Sequence, residues 1–421
     1  MAKKALLLLL TVALMLGSVS LTSCNILTLL ENGAGTLAPP SGDDPTDEGT
    51  PPNINVTGGD TNNITINTGD NATILAASKA MLSVVSITAG FERTYVSGWV
   101  SKTEEFTQSG SGVIYKLDKE RGEAYVITNY HVVHSDLDNS STKISDNVSL
   151  YLYGMESEAY AIPAEYIGGS MQYDLAVLKV SANTTLISSI ATAVTVADSN
   201  DVAVLDTAIA IGNPDASGIS ATVGYVNVDS ETITLSISDR ASAINIRVMR
   251  IDTAINGGNS GGGLFNHKGE LIGIVNAKKT TSDGMGYAIP SNVAKYVANN
   301  VIDAYSGTPV SVKKCIVGLT LTAKELYTSY DEETGRVHRC ERVAISDVTE
   351  TSSAKDLFRV GDVINSVTID GTKYEVTRIF HATDCMINAR VGSEIIYSIT
   401  RGGENIEVRL TVTKDLMVVL S

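Results

Sequence analysis

The stretch Asn256-Gly257-Gly258-Asn259-Ser260-Gly261-Gly262 sets one hydroxyl among four glycines. Glycine is needed where the main chain turns with φ > 0, and where a bound carbonyl must come close to bare N–H groups. The pattern presents Ser260 as a nucleophile, with the N–H groups of Gly258 and Ser260 as donors to an oxyanion. Taken alone, the same string also suits a β-turn between Ile255 and Leu264.

A serine hydroxyl is a weak nucleophile at neutral pH unless a base takes its proton, and that base needs an acid to fix its tautomer. Ala124-Tyr125-Val126-Ile127-Thr128-Asn129-Tyr130-His131 reads as a β-branched and aromatic strand that delivers a histidine to a rim, so His131 is the candidate base. Of the other histidines, His134 sits in a polar loop, and His267, His338 and His381 lack a strand-end setting. The candidate acid is Asp174, placed immediately before the apolar run Leu175 to Val180, at a loop-to-strand junction. Each residue by itself also fits a structural histidine or a turn acid.

Taken in order, TNYHVV (128–133), YDLAVLKV (173–180) and INGGNSGGGLFNHKGELIGI (255–274) resemble the HtrA/Deg-type family of trypsin-like serine proteases. GSGVIY (110–115), AIAIGNP (208–214) and GMGYAIP (284–290) extend the resemblance, which runs from about Ala76 to the C-terminus. It implies His131 as general base, Asp174 as its orienting acid and Ser260 as nucleophile. Substrate is expected as an added antiparallel strand beside Val275, Asn276 and Ala277, whose side chains would border a modest apolar S1 pocket. Gly257 and Gly263 stand where the family usually has proline, which leaves the Gly258 N–H free to rotate. The consequence expected is a partly inactive resting enzyme, in which peptide or substrate binding orders Gly257 to Ser260 through neighbouring loops around 239–244 and 280–284. The family's trimeric habit is the only basis for expecting a homotrimer.

Composition fits a chain of two or three domains: 43% of residues are apolar and 19% charged, enough to fill real cores. A formal net charge of −16 argues against nucleic acid as a partner and against adsorption to anionic lipid. Lys3 and Lys4 precede an apolar segment, Ala5 to Gly17, closed by Leu21-Thr22-Ser23-Cys24. That tetrapeptide resembles a bacterial lipobox, which implies cleavage of residues 1–23, lipidation of Cys24 and an extracytoplasmic location anchored to a bacterial cell membrane. The alternative is an uncleaved spanning helix. Residues 24–75 are rich in Gly, Pro, Asp, Asn and Thr and read as a flexible tether.

From Leu82 onward, short Val/Ile/Tyr runs alternate with turn residues, predicting a mainly β fold. The resemblance implies two chymotrypsin-like β-barrels over 76–308, divided near Ser199 to Asp201, with the site in the cleft. Ser291 to Tyr305 changes period, with Val293, Val297 and Val301 on one face, a Ser N-cap and Gly307 past the end, predicting a helix. Residues 309–421 have features of a small α+β PDZ domain. CIVGLTL (315–321) looks like a carboxylate-binding loop, with Val317, Gly318 and Leu319 N–H groups as donors, and KDLFRVGDVINSVTIDG (355–371) like the Gly-Asp turn and its strand.

With Cys24 lipidated, Cys315, Cys340 and Cys385 allow at most one disulfide. His131-Val132-Val133-His134 lacks the glutamate of a zinc protease, and neither a metal nor another cofactor is called for. The sequence therefore predicts a membrane-tethered serine endopeptidase acting on misfolded or unfolded extracytoplasmic proteins, with C-terminal peptides at the PDZ groove. The alternative is a non-proteolytic sensor or chaperone-like peptide-binding protein on a protease fold.

Overall fold

A computed structural model describes residues 72–236, 243–278 and 285–420. The expected signal segment, Cys24 and most of the expected tether lie outside the described residues, as do residues 239–242 and 280–284 of the loops expected to couple binding to the site.

The first described element is helix α1 (Ala72–Met81), whose first residues fall inside the expected tether. Its sequence, ATILAASKAM, is built from good helix formers, and Ala76 and Ala80, one turn apart, are buried in the core. The tether expected to reach Leu75 thus gives way to a docked helix at Ala72. Burial of that alanine face supplies what composition alone does not signal.

Six strands follow: β1 (Val84–Ser97), β2 (Val100–Asp118), β3 (Glu123–Thr128), β4 (Asn147–Leu152), β5 (Ile162–Ser170) and β6 (Leu175–Val180). They are joined in the order β5-β4-β1-β2-β3-β6, and β5 also pairs with β6, so the sheet closes on itself. Alternating residues such as Ile87, Ile114, Val126, Leu150 and Leu178 fill the interior. Two short helices, α2 (Tyr130–Val133) and α3 (Thr184–Ser188), follow β3 and β6.

A second closed barrel has the order β10-β11-β12-β9-β8-β7. Its strands are β7 (Thr207–Gly212), β8 (Ser220–Ser236), β9 (Ala243–Ile251), β10 (Gly263–Phe265), β11 (Leu271–Lys278) and β12 (Gly286–Pro290). Its own interior holds Ala208, Met249, Leu264, Ile272 and Val275. A separate cluster that includes Ile127, Leu175, Ile211, Phe265 and Ile274 lies between the barrels and seals one against the other. The mainly β, two-barrel architecture is as the sequence predicts.

Helix α4 (Ser291–Ala304) carries Val293, Val297 and Val301 on its buried face, as expected. The N-cap is Pro290 and not Ser291, because Pro290 ends β12 with extended geometry. The Ser291 hydroxyl instead donates to the Ala197 carbonyl at 2.8 Å.

The C-terminal region contains β13 (Val310–Cys315), β14 (Leu319–Asp331), β15 (Arg336–Val348), β16 (Val363–Ile369), β17 (Thr372–Glu375), helix α5 (Ile379–Asp384), β18 (Glu394–Arg401), β19 (Glu404–Thr411) and β20 (Met417–Leu420). Strands β14 to β19 form a sheet of their own with a separate core around Val343, Val367, Ile395 and Ile399. Strand β13, however, runs parallel to β5 and carries β20 on its other side, so the region is sewn onto the first barrel. Gly168 makes this possible: its φ is 150°, and a Cβ there would collide with the Val310 carbonyl. Cys315, Cys340 and Cys385 are buried free thiols.

Candidate active site

Strand β3 ends at Thr128, and Asn129 caps the single turn of α2 that holds His131 at the rim of the first barrel. Asp174 lies at the start of β6 in a left-handed conformation, φ 47°, a geometry that aspartate tolerates better than most residues. Its side chain is 1% exposed. A buried carboxylate needs hydrogen-bond partners, and this one has three. His131 Nδ1 lies 2.7 Å from Oδ2, the His131 main-chain N–H donates to Oδ1 at 3.0 Å, and Asn276 Nδ2 donates to Oδ2 at 2.6 Å. Asn129 Nδ2 adds a bond to the Asp174 carbonyl at 2.8 Å, fixing the backbone that carries the acid. Burial alone would lower the His131 pKa, but the charge and hydrogen bond of Asp174 more than offset it and raise it above the ordinary imidazole value.

Ser260 approaches from the second barrel. Its hydroxyl donates to the Asn276 carbonyl at 2.7 Å, so Asn276 touches the acid with its side chain and the serine with its main chain. The turn that carries Ser260 depends on its glycines. Gly258 and Gly261 have φ of 90° and 83°, and a Cβ on Gly261 would run into the Ser111 carbonyl and the Thr128 hydroxyl. Among the described residues, the Gly258 and Ser260 N–H groups donate to no main-chain carbonyl. Gly263 leaves space for the Phe265 ring, which a Cβ at 263 would overlap.

Sequence reasoning missed Ser111. This fully buried residue of β2 donates from its hydroxyl to the Gly258 carbonyl at 2.7 Å and from its N–H to the Ser260 carbonyl at 2.8 Å. The first barrel thereby braces the turn of the second. The flanking Gly110 and Gly112 were the available signal, since a Cβ on Gly110 would press against Val132 and the Ser260 carbonyl.

The expected substrate-strand residues need correction. The Val275 side chain is fully buried in the second-barrel core, and Asn276, 1% exposed, turns toward Asp174, so neither side chain borders an S1 pocket. The cause is a β-bulge between Val275 and Ala277, which aims Asn276 inward. Ala277 pairs with Tyr287 of β12. Val275 itself is already bonded to the serine turn, Gly261 N–H to its carbonyl and its N–H to the Gly262 carbonyl, both at 2.8 Å.

In the C-terminal region, Gly318 has φ of 81°, its carbonyl accepts from the Thr349 N–H at 2.8 Å, and Val317 is buried while Leu319 is half-buried. Strand β14, which begins at Leu319, is the edge strand of its sheet and lies against α5.

Residues 110–274 match the family model of the trypsin-like peptidase domain. The chain is 36% identical over 229 residues to the serine protease Do-like HtrA of Bacillus subtilis, covering 53% of this chain and 46% of that protein. It is 30% identical over 320 residues to the periplasmic serine endoprotease DegP of Escherichia coli, covering 74% and 58%. The chain thus spans about half the length of the curated relatives it matches. A solved structure, HtrA-type protease AlgW with tripeptide, shares the fold, with a TM-score of 0.50 at 23% identity over 81% of this chain and 96% of that one. The span that carries His131, Asp174 and Ser260 thus matches the trypsin-like peptidase domain and is similar to that of the HtrA-type serine proteases.

Proposed function

We propose that the chain is a serine endopeptidase in which His131, Asp174 and Ser260 act as a triad. The observation that carries this reading is the hydrogen-bonded cluster spanning both barrels, in which Asp174 holds His131 at 2.7 Å and Asn276 links Asp174 to Ser260. In the reaction, the Ser260 hydroxyl leaves the Asn276 carbonyl, gives its proton to His131 Nε2 and attacks the peptide carbonyl. The imidazolium is stabilised by Asp174 and returns the proton to the leaving amine. The oxyanion is held by the Gly258 and Ser260 N–H groups. Ser260→Ala should abolish hydrolysis of an unfolded protein such as casein, a loss on the order of 10⁶ in kcat. Wild-type turnover by the folded variant would refute the assignment.

The similarity to Do-like proteases supports unfolded extracytoplasmic polypeptides as substrates. The lipobox-like Leu21 to Cys24 supports a lipid tether, and with it an extracytoplasmic site on a bacterial membrane. The exposed edge of β14 beside the Val317 to Leu319 loop supports a PDZ-type groove for C-terminal peptides. A homotrimer follows from the resemblance alone.

A further inference from the structure

Strands β1 and β2 pair without a break from Val84↔Val113 to Ser97↔Val100, but the barrel uses only the base of this hairpin. Strand β4 pairs with β1 only as far as Gly90, and β3 pairs with β2 only from Val113. Beyond those points the hairpin leaves the barrel as a two-stranded ribbon. Its first part is braced by hydrogen bonds and stacking: Phe91 stacks on Phe106, the Glu92 N–H donates to Asp138, and Asn139 bonds both the Thr94 N–H and its hydroxyl. From Tyr95 to the turn at Gly98 the ribbon projects past these contacts, about 10–14 Å at the rise of an antiparallel strand.

The tip is apolar and exposed. Trp99 is 103% exposed, Val96 75%, Val100 59% and Tyr95 40%. The eight residues Thr94 to Ser101 carry no charge in a chain of net charge −16, and basic Arg93 and Lys102 bracket them. Behind Arg93, Glu104 forms an ion pair with it, so Lys102 is the cation left nearest the tip.

Each of these features matches one layer of a lipid surface. An uncharged apolar end suits the acyl boundary, Trp and Tyr suit the interface, and a flanking lysine suits the phosphate level. The projection is long enough to reach the depth of about 5–10 Å at which interfacial segments sit. Exposed apolar residues gathered at one projecting tip mark an interaction site. We propose that the β1–β2 hairpin tip, centred on Trp99, is a membrane wedge that inserts into the headgroup layer of a zwitterionic bilayer. The wedge would hold the first barrel, and with it His131, at a fixed height over the surface. The lipid tether of the proposed function brings the tip within reach, whereas the wedge rests on the chemistry of the tip itself.

Trp99 is the only tryptophan of the chain, so its fluorescence reports this one site. The full-length protein would be mixed with phosphatidylcholine vesicles carrying bromine at defined acyl depths, and flotation and Trp99 emission measured on the same sample. Flotation with a blue shift and a severalfold loss of emission, greatest for bromines nearest the headgroups, is expected. Val96→Asp with Val100→Asp, which spares the reporter, should remove the shift and the quenching but not the flotation. Flotation of the wild type without quenching would overturn the wedge while leaving the tether standing, and neither flotation nor quenching would overturn both. A blue shift that grows with protein concentration in the absence of lipid would assign the tip to a second copy of the chain and overturn the proposal as well.

Discussion

Asn276 Nδ2 donates over 2.6 Å to Asp174 Oδ2, the same oxygen that faces His131 Nδ1 at 2.7 Å. A buried acceptor that loses a donor costs about 1–3 kcal/mol, more for a charged group. Asn276→Ala should therefore lower kcat by roughly 10–100-fold at nearly constant KM, the range that 1.4 kcal/mol per decade gives. Asn276→Asp, which sets a second carboxylate against Asp174, should be worse. Steady-state kinetics on a peptide substrate check both, and unchanged kcat in Asn276→Ala would remove the residue from the machinery.

The pH dependence follows from His131. Its pKa is raised, so the imidazole holds its proton to higher pH than a free histidine, while a general base has to be neutral. Activity should therefore rise with pH along a limb placed above the ordinary imidazole value near 6.5. For stability the sign is opposite. The stabilising pair of charged His131 with Asp174 is fully present below the unfolded pKa and is lost as pH rises through the folded one. A limb below the free-histidine value in a kcat/KM profile would contradict the pairing.

A second histidine should govern acid stability. His381 lies edge-to-face with Phe380, over whose ring Arg247 and Arg378 sit; burial first, and then the two guanidinium groups, push its pKa down to about 4. Unfolding exposes it to protonation near its ordinary value, so between about pH 6.5 and pH 4 the unfolded state binds more protons and stability falls as pH falls. His381→Gln should flatten that part of the curve, by on the order of 2–3 kcal/mol at its acid end. Urea titrations at several pH values measure this, and identical pH slopes in the two proteins would contradict it.

Much of the fold is legible because barrel strands leave a period-two pattern. Glu123 to Thr128 and Leu175 to Val180 are strands with the expected bounds. Strand β5 is not legible: Ile162-Pro163-Ala164-Glu165 dilutes the pattern, and Gly168 inside the strand is accounted for only by the close approach of Val310. Ala221 to Val228 and Thr232 to Ile237 read as separate strands, but the described part of that span, through Ser236, is one long β8, because Asp229-Ser230 is absorbed by register shifts instead of forming a turn. The glycine turn and the loop-to-strand aspartate are visible because that chemistry restricts backbone geometry. Asn276 and Ser111 act through a bulge and through a contact between barrels, neither of which leaves a local mark. For the same reason the strand Val275 to Ala277 reads as substrate-facing although its first two side chains point inward.

Covalent labelling by a fluorophosphonate tests most directly whether Ser260 is a nucleophile activated by His131. The folded protein should take up one label, mapped by mass spectrometry to Ser260. Labelling should be lost in Ser260→Ala and strongly slowed in His131→Ala. A folded wild-type protein that stays unlabelled, or that carries its label on another residue, would contradict the account.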